Sequence, residues 1–60
     1  MPSDDTRRVL KVFGVAVTNL EDAIEGAKPE DEIMKWDREL AERMREVTDL
    51  VERLRSRRIA

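Results

Sequence analysis

The chain has 60 residues, 14 of them acidic and 12 basic, for a formal net charge of −2; 43 % are charged and 40 % hydrophobic. It contains no histidine and no cysteine. Those absences exclude a disulfide frame, thiolate or imidazole metal sites, and the Ser-His and Cys-His nucleophile pairs.

The length corresponds to one domain, 1–60, and the apolar residues are too many and too regularly spaced for a disordered chain. The near balance of charge gives no electrostatic case for wholesale binding to nucleic acid or to an anionic membrane. The longest apolar-rich stretch, 9–17, is interrupted by Lys11 and Gly14 and is far too short to span a bilayer. Asp4 and Asp5 stand where a signal peptide would carry its basic residues. The expected setting is cytoplasmic, with no membrane partner.

Ser3, Asp4 and Asp5 are N-cap and first-turn residues, placing negative charge at the positive end of a helix. From residue 5 to residue 26 the pattern is helical. At 100° per residue, Val9, Leu10, Val12, Phe13, Ala16, Val17, Leu20, Ala23, Ile24 and Ala27 fall within one arc of about 160°, with Lys11, Thr18, Asn19, Glu21, Asp22 and Glu25 opposite. Val15 alone falls on the wrong side, and Gly14 weakens the middle by roughly 1 kcal/mol relative to Ala. Val9, Val12, Phe13, Val15 and Val17 also favour strands, so a ribbon-helix-helix arrangement is the competing reading. Its alternation is poor, because neither face of such a strand is polar.

Residues 26–28 form the turn. Gly26 suits a left-handed C′ position, Pro29 suits the first position of a new helix, and Glu30, Asp31 and Glu32 follow in its first turn. The second helix is expected over 29–58. Ile33, Leu40, Val47 and Leu54 recur every seven residues, with Trp36, Met44, Leu50 and Val51 filling the same stripe. Lys35, Arg38, Glu42, Arg45, Asp49 and Arg53 occupy the other face, where Arg38/Glu42, Glu39/Arg43, Arg45/Asp49 and Asp49/Arg53 are spaced for ion pairs.

The expected fold is therefore all-α: a two-helix antiparallel hairpin that completes a helical bundle with another chain, a four-helix bundle if the partner is a second copy. The expected seam joins Val9, Phe13, Val17, Leu20 and Ile24 to Ile33, Trp36, Leu40, Val47 and Leu54. The apolar arc on the first helix is wider than one neighbour can cover, and a chain this small without disulfide or metal gains stability by association. Val15, Met34, Trp36, Leu50, Leu54 and Ile59 are the residues expected at a partner interface. Residues 19–32 hold six acids and one lysine, a net −5, while residues 53–60 hold four arginines and no acid, a net +4. Two hairpins packed antiparallel would pair these ends, in an assembly that weakens with salt.

Candidate chemistry is sparse. Glu39, Glu42 and Glu46, like Glu21, Asp22 and Glu25, lie along helix sides where salt-bridging surface is expected rather than a bundle metal site, which needs histidines. Glu30-Asp31-Glu32 lacks the spacing and the glycine of a calcium loop. Asp37 and Arg43, at the margins of the stripe, come nearest to titratable groups in an apolar setting. No cofactor, metal or catalytic residue is assigned. Arg53, Arg55, Arg57 and Arg58 are a candidate nucleic-acid contact, but they project in four directions and no aromatic residue accompanies them. The expected function is a non-catalytic protein–protein interaction module, as an accessory subunit or a partner-binding regulator. A nucleic-acid-binding regulator using the terminal arginines is the alternative.

Overall fold

The computed structural model describes residues 3–59, with side chains through residue 58. Two helices, α1 over Asp4–Glu25 and α2 over Glu30–Ile59, pack as an antiparallel hairpin. There is no strand among the described residues, so the ribbon alternative for the opening segment falls. A helix satisfies its own backbone groups, whereas an opening strand would need a second strand beside it.

Ser3 caps α1: its backbone is extended and its Oγ accepts from the Thr6 N–H at 3.1 Å, with Asp4 and Asp5 in the first turn. The other end of α1 departs from expectation. Gly26 has an ordinary φ of −80°, and the left-handed residue is Ala27, at φ 51°. The Ala27 N–H donates to the Ile24 carbonyl at 3.1 Å and the Lys28 N–H to that of Ala23 at 3.0 Å. This is the Schellman pattern with alanine in the position that glycine usually fills. Pro29 precedes α2, and its carbonyl accepts from the Glu32 and Ile33 N–H groups.

The hairpin is a rod of 47 × 18 × 12 Å. Its register is marked by a long-range ion pair, in which Arg53 Nη2 donates to Asp5 Oδ2 at 3.2 Å. Counting inward from that contact at equal rise, Val9 stands within one residue of the level of Leu50, Ala16 of Arg43 and Ala23 of Trp36. Both sets step by seven residues. Val9, Ala16, Ala23 and Leu50 are buried, while Trp36 and Arg43 are half-buried. The small alanines near Arg43 and Trp36 leave room in the seam for those larger side chains.

This seam corrects the expected one. Val17 is 40 % exposed, Ile24 56 % and Leu54 44 %, so none of the three lies between the helices. Met44 and Val51, assigned to the same stripe from their spacing, are also exposed. Leu50, expected at a partner surface, is 4 % exposed within the hairpin itself. The seam passes one helical row to the side of the middle of the hydrophobic arc, because the alanine row allows closer approach than the Val17 and Ile24 row.

Candidate interaction surface

The Asp5–Arg53 contact also identifies the two sides of the hairpin. Asp5 shares its seven-residue row on α1 with Val12 and Asn19, and Arg53 shares its row on α2 with Glu46, Glu39 and Glu32. Rows displaced from the seam in one sense lie on the same side of an antiparallel pair, so these form one polar side. Arg43 reaches toward it from the seam. Its Nη1 lies 3.1 Å from Glu46, its Nη2 3.4 Å from Glu42 and its Nε 3.6 Å from Glu39. The Nε is buried and lacks a hydrogen-bond partner within ordinary distance. The expected pairs Arg38/Glu42, Arg45/Asp49 and Asp49/Arg53 do not form: Glu42 turns to Arg43, and Arg53 to Asp5.

The opposite side is apolar on both helices. From α1 it presents the rows Phe13/Leu20 and Leu10/Val17/Ile24. From α2 it presents Ile33/Leu40/Val47/Leu54 and Met44/Val51. Leu10, Val17, Ile24, Met44, Val51 and Leu54 are each at least 37 % exposed, and Phe13, Leu20, Ile33, Leu40 and Val47 are half-buried beside them. The α1 part includes a shallow groove lined by Val17, Leu20 and Ile24 and flanked by Glu21 and Glu25. Asp37 falls in the Met44 row, at the bend end of the face.

The residues expected at an interface separate on this frame. Leu54 lies within the apolar face. Met34 is exposed at its edge, and Val15 is exposed but turned away from it. Trp36 sits half-buried in the seam, with the Lys35 ammonium 4.9 Å from its ring centroid. The Ile59 side chain lies outside the described residues. Of the α1 residues expected in the seam, Phe13 and Leu20 are half-buried at its edge, whereas the exposed ones are Val17 and Ile24. The spacing of the two alanines, seven apart and in register with Arg43 and Trp36, is the signal that would have released them.

Arg53, Arg55, Arg57 and Arg58 are all exposed on the last turns of α2, and Arg53 is held by Asp5. Asp5, Asp49, Glu52, Arg53, Ser56 and Arg57 line an open cleft there, so acids are interleaved with the bases. Among the described residues no three carboxylates are grouped to hold a metal ion. No described helix is long and apolar enough to cross a membrane. Compared with known proteins, the chain matches no protein-family model, no curated protein and no solved structure.

Proposed function

We propose that this protein is a non-catalytic interaction module, an accessory or regulatory subunit in the cytoplasm, that works by packing its apolar face against the helices of a protein partner. The observation that supports this reading is the one-sided distribution of exposed hydrophobic residues. Both helices turn most of their uncovered hydrophobic residues to the same side, while the other side carries the Asp5–Arg53 pair and the contacts of Arg43 with Glu39, Glu42 and Glu46. Scattered exposed leucines are ordinary on soluble proteins, but a contiguous face of this kind is characteristic of an interface. A long, flat apolar surface on two parallel rods suits other helices better than a small ligand, which needs an enclosing cavity.

The double variant Val17→Gln/Met44→Gln tests it. Both side chains are exposed in the single hairpin, so helical content should survive. In extract of the native host, the wild-type chain is expected to migrate in a species larger than one 7.0 kDa chain, and the variant to migrate as that single chain. Migration of the wild type as a single chain in extract would overturn the reading.

A further inference from the structure

We infer that the apolar face is covered by a second copy of this chain, stacked antiparallel so that α1 lies along α1 and α2 along α2 in a four-helix bundle. This inference rests on the apolar face being the interaction surface, and adds which helices cover it and in which direction. The first support is area. The chain exposes 4980 Å², whereas a globular chain of 7.0 kDa is expected to expose about 4,040 Å². The surplus of about 900 Å² is close to the roughly 800 Å² that each partner contributes to an interface of standard size. One further copy, giving the same area in return, would remove it.

The second support is charge. The bend carries a net −5 over residues 19–32, and the far end of α2 a net +4 over residues 53–60. Those groups sit at opposite ends of a 47 Å rod. The chain thus holds both halves of a complementary pair that it cannot bring together by itself. An antiparallel second copy sets each acidic bend beside an arginine-bearing end, and a parallel copy would set like charges together. The charges therefore favour a copy of the same chain and also fix its direction.

The third support is the placement of the face along the rod. The register that puts Asp5 beside Arg53 puts Val17 and Met44 within about one turn of the same level, near the middle of the apolar rows. A twofold axis perpendicular to the helices and passing there brings Met44 next to Met44 of the second copy. It also brings Ile33 near the second copy's Leu54. The two Leu54 side chains would then lie about 30 Å apart at 1.5 Å rise per residue.

The purified full-length chain provides the test. Sedimentation equilibrium at micromolar concentration should return twice the 7.0 kDa chain mass. Dissociation should strengthen about tenfold as sodium chloride is raised from about 50 to about 500 mM, because exposed complementary charges are screened. Engineered thiols, on a chain with no cysteine of its own, then read the direction. With a short bis-maleimide linker, Met44→Cys should give a covalent dimer and Leu54→Cys alone should not. A mixture of Ile33→Cys and Leu54→Cys chains should cross-link to each other. A covalent dimer from Leu54→Cys with none from Met44→Cys would overturn the antiparallel arrangement. A monomer at about 100 µM, with a melting temperature independent of concentration, would overturn the second copy altogether. In that case a larger species in host extract would leave the interaction reading standing, and a single chain in extract would remove both.

Discussion

Ala27 carries the one positive φ among the described non-glycine residues, at 51°, and it does so beside a glycine that does not need its freedom. An L-residue in the left-handed region costs about 1 kcal/mol or slightly more, while a glycine there gives back part of that gain through a more disordered unfolded chain. Ala27→Gly should therefore raise stability by roughly 0.5 kcal/mol, seen as a higher midpoint in urea followed by circular dichroism. At Gly26 the opposite holds, since an added Cβ would stand 3.0 Å from the Asp22 carbonyl oxygen. Gly14 is different again: it lies inside α1, and an added Cβ there meets nothing within 4 Å. Gly14→Ala should add about 1 kcal/mol and raise the melting temperature by roughly 4–8 °C at fixed protein concentration. The cost of Gly14 is readable from the sequence, because helix propensity is local. The exchange of roles between Gly26 and Ala27 is not, because it depends on which residue the last hydrogen-bonded turn reaches.

Between the helices, hydrophobic periodicity predicts two amphipathic rods but does not say which row of each faces the other. The rows at 9/16/23 and 36/43/50 win, and the choice is a matter of fit: Val9 with Leu50, Ala16 with Arg43, Ala23 with Trp36. A polar residue within a heptad seam sets register at some cost in stability, and Arg43 occupies such a position while its guanidinium reaches out to three glutamates. Its Nε has no hydrogen bond, which is part of that cost. Leu50 and Leu54, both placed by spacing in the apolar stripe and at the expected partner interface, separate into two roles. Leu50→Ala, at a site 4 % exposed, should lower stability by roughly 2–5 kcal/mol. Leu54→Ala, at a site 44 % exposed, should cost the hairpin less than half as much and show its main effect on self-association. Urea unfolding at two protein concentrations distinguishes these outcomes.

For the molecule as a whole, shape and charge bear on the same point. The radius of gyration is 14.3 Å, against about 10.4 Å for a compact chain of this length. A rod this thin has surface but little interior, and its net charge differs in sign between the bend and the last turns of α2. Reversing two charges there, as Arg55→Glu/Arg58→Glu, cancels the +4 of the α2 end. Self-association should then weaken about tenfold at low salt and lose most of its salt dependence, both measured by sedimentation. Retention on RNA or heparin equal to that of the wild type is the outcome that removes those arginines as a nucleic-acid contact.

Taken alone, the sequence determined the two helices, the bend between them, an N-cap within residues 3–5 and the opposition of an acidic bend to a basic end. All of these follow from interactions within a few residues or from plain charge counting. Only the tertiary structure decided which hydrophobic residues the hairpin hides from water. Val17, Ile24 and Leu54 are as apolar as the residues of the seam, but the alanines at 16 and 23 let the helices approach more closely one row away. Burial follows the closest approach of two backbones, and that depends on the sizes of side chains from both helices at once.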